Sequence, residues 1–338
     1  MVNLRDMKFL KYFLAAILVV LFLLSALVFN EFRSPATSKE QERFVINPGI
    51  VIEGETIEEL VTKGFLKNKD IFNLILDFKG WHGKIEPGAY LISKNMNAYE
   101  LAKTLVAGPY QKWVVVPPGK RKEQAALILK RALSWTDAKT IEFIRTAREG
   151  YLYPDTYLID VSFDPELVAQ KFYSNFNEKF DAQIQKDLLA KNIRNDTAVK
   201  FASLIERESG GEEDKSIIAA IIWNRLDKKM RLEIDATVQY GQASLDCQLS
   251  SSMPALENCN FWPKLTPGTL QSLNSSYNTY LNEGLPPGPI ASPTLSSIRA
   301  VVYPAQTDAL YYLHSPDKQI HIAKTYEEHL QNIKQYLK

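Results

Sequence analysis

An apolar segment near the start of this 338-residue chain limits what the chain can fold into. From Tyr12 to Phe29, only Tyr12 and Ser25 carry polar groups. At about 1.5 Å per residue, a helix of roughly 18 residues nearly crosses the hydrocarbon core of a bilayer, and the adjoining apolar residues complete the span. We therefore expect one transmembrane helix within residues 1–30.

The charges that flank this segment predict its orientation. Arg5, Lys8 and Lys11 precede it, whereas Glu31 and Arg33 follow it and balance each other. Because Lys and Arg are enriched in cytoplasmic flanks, we expect the N-terminus in the cytoplasm and the rest of the chain beyond the membrane. A cleaved secretory signal is the alternative, but the apolar run is longer than a usual signal core and no small-x-small site follows it cleanly.

The remaining chain is predicted to be α+β, with a linker and two domains. Residues 31–43 are polar, include Pro35 and lack apolar periodicity, which is typical of a solvated stalk. Short strands and helices then alternate over 44–118, and this pattern predicts a small α+β module. The helical segments lengthen over 119–338, which predicts a mainly helical α+β domain.

Several element boundaries can be predicted from local signals. Gly108 is expected to end a helix that starts near Asn97, because glycine tolerates the conformation that follows a helix. Residues 301–315 and 318–323 are predicted as strands from their aromatic and β-branched content. Residues 326–338 are predicted as a closing helix.

Composition excludes several classes of function. Lys and Arg number 40 and Asp and Glu number 39, so the net charge is +1 and no strong field exists to hold a nucleic acid. With four His and two Cys, a dedicated metal site is hard to assemble, and we expect neither structural zinc nor another cofactor. A disulfide between Cys247 and Cys259 is plausible beyond a membrane, and two unpaired cysteines are the alternative.

The most informative segment for chemistry is residues 196–211. Its apolar residues recur at helical spacing, which predicts a helix with one buried face that ends at Gly210 and Gly211 in a left-handed cap. Glu208 then lies in the last turn, where the negative end of the helix dipole holds a carboxyl proton more tightly. A group of that kind suits general acid catalysis.

Glu206 competes with Glu208 for this role. The two lie about 200° apart around the helix and cannot share one site. Helical geometry leaves both at the edge of the apolar stripe and favours Glu208 modestly. A solvated pair of glutamates with no function remains the alternative at this point.

Three ordered motifs follow one another over residues 202–293. ASLIERESGG at 202–211 is followed by NRLDKKMRLEIDATVQYG at 224–241 and by YNTYLNEGLPPGPIASP at 277–293. Together they resemble the endolytic peptidoglycan transglycosylase family, also called YceG-like or MltG-like. The segment Gly150–Tyr157 is similar to an aromatic-proline-aspartate-threonine segment of that family. The resemblance covers nearly the whole chain.

The resemblance implies an activity, a catalytic residue and a location. The family cleaves the β-1,4 bond between N-acetylmuramic acid and N-acetylglucosamine without water and leaves 1,6-anhydro ends, which limits the length of nascent strands. The second glutamate of its motif is catalytic, and it corresponds to Glu208. The resemblance also implies a LysM-like module at 44–118, a single-pass anchor in the bacterial inner membrane, peptidoglycan strands as substrate and peptidoglycan synthases as partners.

Other motif residues are expected to contact substrate. Aromatic rings stack on sugars and amide or carboxylate groups bond to hydroxyl and N-acetyl groups. On this basis the expected contacts are Asn224, Tyr240, Tyr277, Asn278, Asp235 and Tyr157. The stretch from Gln242 to Ser276, which carries both cysteines and Trp262, is longer than the usual family connection, so groove shape or partner choice is expected to differ there.

Two rival functions remain open from the sequence. A hydrolase would use the same glutamate with a water nucleophile and would need a second carboxylate, for which Glu212, Glu213 and Asp235 are candidates. A non-enzymatic wall-binding anchor would need only the membrane span and the small module. The Ser315–Lys318 segment matches a serine-x-x-lysine pattern, but it lies between two predicted strands and lacks the accompanying lysine-threonine-glycine.

Overall fold

The computed structural model describes residues 4–49, 52–247 and 253–337. They form two compact units. Unit 1 holds the described residues up to Trp113 together with Leu158–Ser162, and unit 2 holds Val114–Tyr157 and the described residues from Phe163 onward. The sequence analysis drew its boundary after residue 118 and assigned 158–162 to the second domain.

Unit 1 begins with the apolar helix α1, Leu4–Phe32. Within the 22 residues from Lys11 to Phe32, an 18-residue window has a mean hydropathy of 2.9 and is not buried by the rest of the chain. At about 1.5 Å per residue they extend about 33 Å, which matches the thickness of a hydrocarbon core. Length and composition therefore allow α1 to cross a membrane.

The rest of unit 1 alternates strands and helices as the sequence predicts. The elements are β1 Glu42–Ile46, α2 Ile52–Thr62, α3 Lys69–Lys79, β2 Gly88–Ile92 and α4 Ala98–Val106. Strand β3, Gln111–Val116, starts in unit 1 and ends in unit 2. Asn97 and Glu100 form a capping box at the start of α4, and Gly108 has a φ of 103° just beyond its end. The apolar faces of these helices and strands enclose one core, with Phe44, Leu60, Phe72, Leu76 and Leu101 at its centre.

A four-stranded sheet in the order β1-β2-β3-β4 supports this core. Strands β1 and β2 are antiparallel, with Phe44 opposite Tyr90, and β2 and β3 are antiparallel, with Ala89 opposite Gln111. The fourth strand, β4 at Asp155–Asp160, has no counterpart among the predicted elements. It comes from a segment far along the chain, and local sequence patterns do not show such a pairing partner.

Unit 2 is mainly helical, with one hairpin, in agreement with the predicted α+β class. Its helices are α5 Lys122–Leu133, α6 Asp137–Thr146, α7 Pro165–Lys179, α8 Ala182–Ala190, α9 Asn195–Glu208, α10 Lys215–Asp227, α11 Asp235–Asp246, α12 Met253–Glu257, α13 Pro267–Ser272, α14 Leu295–Val302 and α15 Tyr326–Tyr336. The hairpin consists of β5 Tyr311–His314 and β6 Ile320–Ala323, with Tyr312 opposite Ile322.

The prediction of one strand over 301–315 is wrong at its start. Val301 and Val302 belong to α14, and only Tyr311–His314 is extended in β5. Thr294 caps α14 by accepting a hydrogen bond from the backbone N–H of Ser297, and both valines are buried. Packing of this helix against its neighbours overrides the weak helix propensity of β-branched residues.

Arg121 anchors a buried polar cluster in unit 2. Its side chain is 1% exposed, and its Nε donates to Glu123 at 3.2 Å while Nη2 donates to Ser244 at 2.9 Å. The guanidinium also lies 3.9 Å from the ring centre of Tyr240. Burial, followed by the charge of Glu123, raises the pKa of Glu149 to about 8. The charges of Arg121 and Lys122 and a hydrogen bond from the backbone N–H of Lys122 oppose this increase.

We predict that Arg121→Met lowers the free energy of unfolding by about 3 kcal/mol or more, because it leaves Glu123 without its buried partner. Denaturant unfolding of the detergent-solubilised chain measures the change. The control is Arg145→Met on the exposed side of α6, for which we expect a change within about 0.5 kcal/mol. Equal stabilities for the two variants would show that the Arg121 cluster contributes nothing net to folding.

Candidate active site

Helix α9 places the two candidate glutamates at its C-terminal end. Residues Ala198, Phe201, Ala202, Leu204 and Ile205 are buried, and the helix packs against α8, α10, α11 and α14. The predicted buried face is therefore present. Glu208 is the last residue of the helix, so its side chain leaves the packed part of α9 where the neighbouring elements diverge.

The way α9 ends differs from the prediction. Ser209 is extended, with φ −72° and ψ 135°, and neither glycine that follows has a positive φ. A Cβ on Gly210 would lie 3.0 Å from Asp214 Oδ2 and 3.1 Å from His314 Cδ2. A larger residue at 210 would therefore crowd these side chains, whereas no left-handed cap calls for glycine there.

Glu208 is held by two hydrogen bonds from different elements. The hydroxyl of Tyr312 in β5 donates to its Oε2 at 2.6 Å. The backbone N–H of Ala236, in the first turn of α11, also donates to the carboxyl group. Tyr312 is itself enclosed, and burial raises the pKa of its hydroxyl well above the usual range, so it remains a donor.

Glu208 opens into a cavity of about 310 Å³ within unit 2. Side chains of α10, the segment before α11, the hairpin and α15 form the walls, and they include Ile221, Arg225, Leu232, Glu233, Asp235, Tyr280, Tyr311, Tyr312, Tyr326 and His329. Aromatic and aliphatic surface therefore surrounds a few polar groups. This composition is typical of pockets that bind organic ligands.

The surroundings of Glu208 raise the pKa of its carboxyl group. Burial is the largest cause, because the pocket solvates the charged form poorly. The negative charge of Asp235 raises the pKa further, whereas the hydrogen bond from Tyr312 and the charge interaction with His314 oppose the change. The net effect favours the protonated acid, as a general acid requires.

Asp235 is the second carboxylate on the cavity wall. It is exposed at the first position of α11 and accepts a hydrogen bond from the hydroxyl of Tyr280 at 2.6 Å. Burial, followed by the hydrogen bond to Asp235 and the charge of Asp235, raises the pKa of Tyr280. Of the residues expected to contact substrate, Asp235 is the one that shares the cavity wall with Glu208.

Asp214 and His314 form a pair behind Glu208. The Nε2 atom of His314 lies 2.9 Å from Asp214 Oδ2, and the same oxygen accepts a hydrogen bond from the backbone N–H of Gly210 at 3.1 Å. Asp214 is buried, so the pair ties the loop after α9 to β5. This contact fixes the position of the helix end that carries Glu208.

Glu206 has a different environment. Its Oε2 accepts hydrogen bonds from the backbone N–H and hydroxyl of Thr294 and from the hydroxyl of Ser297, at 2.6 to 2.9 Å. The ammonium of Lys215 lies 3.6 Å away. Glu206 therefore stabilises the start of α14, and its carboxylate is occupied by protein donors. The predicted separation of the two glutamates is present.

Arg225 connects two walls of the cavity. Its Nη1 donates to the carbonyl oxygen of Leu232 at 2.8 Å, and its Nε donates to the carbonyl oxygen of Leu310 at 2.7 Å. Glu233 lies 3.3 Å from the same Nη1. The guanidinium thus links the segment before α11 to the segment before β5.

Two expected substrate contacts are used inside the fold. Both N–H groups of Asn224 donate at 2.9 Å, to the carbonyl oxygens of Thr307 and Ala309, so the amide is not available as a donor to Glu208. Asn278 is fully buried and donates to the carbonyl oxygens of Leu270 and Leu273. Each side chain satisfies loop carbonyls that would otherwise lack partners.

Three expected aromatic contacts lie apart from the cavity lining. Tyr157 is 5% exposed and its hydroxyl donates to the carbonyl oxygen of Tyr153. Tyr240 is 9% exposed because Arg121 and Tyr277 cover its ring, with 4.7 Å between the two tyrosine ring centres. Tyr277 is half-buried in the same stack. These rings pack in the core or against it, and their contacts with a sugar stay a prediction.

Sequence reasoning missed Tyr312, Tyr280, Asp214 and His314. One signal was available for two of them, because Tyr312 and His314 are two apart in a predicted strand and must lie on the same face. Asp214 follows Glu208 by six residues in a polar loop, and nothing local distinguishes it from its neighbours. Their roles depend on the hairpin packing against the end of α9, which is a long-range contact.

The segment after α11 carries a disulfide between Cys247 and Cys259, with 5.4 Å between the Cα atoms. Residues 248–252 of the predicted insertion, Gln242 to Ser276, lie outside the described residues. The sequence left two unpaired cysteines open as an alternative, and the structure has the bonded form. The bridge closes the loop that leads to Trp262.

Comparison with known proteins decides the family. A sequence model described as the YceG-like family matches residues 44–335. The chain belongs to the YceG-like family.

Similar proteins support this assignment. An "Endolytic murein transglycosylase" of Bacillus subtilis is 28% identical to this YceG-like chain, and the match covers 80% of the chain and 78% of the relative. A protein of the same name from Streptococcus pneumoniae strain D39 is 24% identical, with 84% of this chain and 57% of the relative covered. The chain thus spans little more than half the length of the streptococcal relative.

A solved structure is also similar to this YceG-like chain. It is a crystal structure of a yceG-like protein from Listeria monocytogenes, 26% identical, with a TM-score of 0.58. The match covers 87% of this chain and 99% of the solved one. The α+β architecture is therefore shared over nearly all of the Listeria protein.

The raised pKa of Glu208 predicts how stability depends on pH. The folded protein binds this proton more tightly than the unfolded chain does, so the contribution of Glu208 is present below the ordinary glutamate pKa and is lost as the pH rises through its pKa in the fold. Relative to Glu208→Gln, the wild type should therefore lose stability over that range. Denaturant unfolding at a series of pH values measures the difference, with exposed Glu213→Gln as the matched control. Parallel curves for the wild type and Glu208→Gln would contradict the prediction.

Proposed function

We propose that this chain is an endolytic murein transglycosylase that cleaves the β-1,4 bond between N-acetylmuramic acid and N-acetylglucosamine inside a glycan strand. The observation that carries the proposal is the carboxyl group of Glu208 on the wall of a cavity, where burial raises its pKa. The names of the Bacillus and Streptococcus relatives support the substrate and the reaction.

The reaction needs one group that acts first as an acid and then as a base. Protonated Glu208 donates its proton to the glycosidic oxygen as the bond from that oxygen to C1 of the muramoyl residue breaks. The Glu208 carboxylate then accepts the proton of the C6 hydroxyl while O6 forms the new bond to C1. The product is a 1,6-anhydro end, the other strand carries a new hydroxyl, and Glu208 regains its proton.

An internal nucleophile explains why no water-holding second carboxylate is needed. Well-oriented intramolecular reactions reach effective molarities of 10⁵ M or more, so a positioned C6 hydroxyl replaces an activated water. Asp235 on the same wall is placed to stabilise the positive charge that develops at C1. Tyr312 orients the carboxyl group of Glu208, and Tyr280 orients Asp235.

The other expected substrate contacts support the site from a distance in this proposal. Asn224 and Asn278 fix loops of unit 2, Tyr240 and Tyr277 form the stack on Arg121, and Tyr157 fixes the segment before β4. They shape the groove without touching the reacting sugars.

Unit 1 serves as an anchor and a positioning module in this proposal. Helix α1 crosses the bacterial inner membrane with its N-terminus in the cytoplasm, since Arg5, Lys8 and Lys11 precede the apolar run. The LysM-like module that follows binds or spaces the strand, and a shallow cavity of about 600 Å³ beside α4, lined by Asn95, Glu100 and other polar residues, is its candidate contact. Peptidoglycan synthases that release nascent strands nearby are the expected partners.

Product analysis tests the reaction. We predict that the full-length protein in detergent converts uncrosslinked strands into fragments with 1,6-anhydro ends. Glu208→Gln should lower the rate at least about a hundredfold, because general acid–base catalysis contributes 10² to 10⁴. Mass spectrometry separates the two chemistries, since anhydro ends lack one water. Glu213→Gln removes a nearby exposed carboxylate and should keep the activity.

Each other product pattern contradicts part of the proposal. Reducing ends would make the protein a hydrolase, and Asp235→Asn would then test the second carboxylate. Strands that are bound but never cleaved by the wild type would favour a wall-binding anchor. Full activity in Glu208→Gln would remove Glu208 from catalysis.

The hydrogen bond from Tyr312 predicts a shift in the pH profile. This bond stabilises the carboxylate form, so Tyr312→Phe should raise the pKa of Glu208 further. Because the acid acts in its protonated form, the alkaline limb of kcat/KM should move to higher pH, with a lower maximum from poorer orientation. Tyr326→Phe changes another cavity tyrosine and should leave the limb in place. A limb that moves to lower pH would contradict the assignment.

A further inference from the structure

Arg207 lies between the two glutamates and has an unusual environment. It is half-buried, and its Nε is enclosed without a hydrogen-bond partner. Among residues 4–49, 52–247 and 253–337, no group accepts a hydrogen bond from its guanidinium, and no carboxylate lies within 4.0 Å of it. Burial lowers the pKa of Arg207, and the charges of Glu208 and Glu206 oppose that effect.

Two other shielded arginines of unit 2 donate several hydrogen bonds to protein acceptors. Arg121 donates to Glu123, to Ser244 and to the carbonyl oxygen of Tyr240. Arg225 donates to backbone carbonyl oxygens on both sides of the cavity. Since a guanidinium carries five N–H donors and leaving them unpaired away from water costs free energy, an unpaired one points to an absent acceptor.

The guanidinium of Arg207 stacks on the indole ring of Trp262. The Cζ of Arg207 lies 3.8 Å from the ring centre of Trp262. The indole is fixed in turn, because its Nε1 donates to the side chain of Gln124 at 3.2 Å. The Cys247–Cys259 bridge closes the loop just before it. Stacking covers one face of the guanidinium, and an arginine held in this way can still bind a carboxylate through the N–H groups at its edge.

Arg207 is the neighbour of Glu208 in the sequence and therefore lies close to the bond that is cleaved in the proposed reaction. It directly precedes Glu208 in α9, so the two Cα atoms are about 3.8 Å apart and the side chains leave the helix about 100° apart. The charge of Glu208 acts on the guanidinium, which places the two groups within electrostatic range. A strand bound with its scissile bond at Glu208 therefore brings the substituents of neighbouring sugars close to Arg207.

We propose that Arg207 and Trp262 form a subsite that binds a carboxylate of the peptide carried by a muramoyl residue next to the scissile bond. This inference rests on the proposed function. The sugar rings and N-acetyl groups inside a strand are uncharged, so the anionic groups near an internal cut are those of the peptides. The guanidinium edge matches a carboxylate, with two parallel hydrogen bonds. The insertion thereby makes the enzyme sensitive to whether a strand carries peptides.

Binding to the full-length Glu208→Gln protein tests this subsite without relying on turnover. The two probes are peptide-bearing strands and the same strands after enzymatic removal of the peptides. We expect Kd for peptide-bearing strands to be about tenfold lower or better, as hydrogen bonds to charged groups contribute about 1.5–3 kcal/mol. Adding Arg207→Gln should bring the ratio of the two Kd values close to one. Arg207→Lys should restore part of the preference for peptide-bearing strands, since lysine keeps the positive charge but lacks the planar set of N–H donors.

Control variants separate the subsite from general damage. Arg148→Gln removes another arginine that lies over aromatic rings, those of Tyr151 and Tyr173, and should keep the full ratio. Trp262→Phe keeps an aromatic ring beside Arg207 and should keep most of the Kd ratio. Melting temperatures identify any variant that fails to fold. If Arg207→Gln is one of these, the Kd ratios of Arg207→Lys and Trp262→Phe test the subsite.

Two results would overturn the proposal. A ratio near one in the protein with intact Arg207, or an unchanged ratio after Arg207→Gln, would show that no peptide carboxylate binds there. Peptide-free strands that end in a polyprenyl pyrophosphate supply the other anion of nascent murein, and Arg207-dependent binding of these strands alone would assign the subsite to phosphate. Failure of the proposed function is distinguishable, because it would show as missing anhydro ends from the wild type on either strand.

Discussion

The raised pKa of Glu208 depends on poor solvation of its carboxylate form. Glu208 is carried to the end of α9 by a helix whose other face is packed into the core, and β5 and α11 close around it. Water would stabilise the carboxylate and release its proton, whereas this enclosure favours the neutral acid. The packing of α9, the hairpin and the first turn of α11 therefore determines the chemical state of the residue.

The two glutamates of α9 show how environment divides roles between identical side chains. Glu206 accepts several hydrogen bonds from the start of α14 and lies near Lys215, so its negative charge is compensated. Glu208 accepts fewer bonds and faces a cavity. One carboxylate holds two helices together while the other remains available to a ligand, and a separation of two residues along the helix is enough to produce this difference.

Local patterns predicted the elements better than the contacts between them. The 3.6-residue period located α9 and its buried face, and it left Glu208 at the edge of that face. Neither β4 nor the roles of Tyr312 and His314 could be predicted, because each depends on residues distant in sequence. Motif resemblance predicts that Asn224, Asn278 and Tyr240 contact the substrate, and the structure adds that their polar atoms or rings make contacts inside the fold. A motif indicates that a residue is important, but it does not show whether the residue stabilises the fold around the site or contacts the substrate.

Arg225 has a consequence for how a polymer would be bound. A glycan strand loses conformational freedom when several of its sugars are fixed, and a site that also had to organise itself would add to that loss. By bonding to carbonyl oxygens on two walls, Arg225 keeps the cavity open before any ligand arrives. Only the strand then loses conformational entropy on binding. A long flexible glycan can therefore bind with one glycosidic bond in the cavity, without closure of the protein around it.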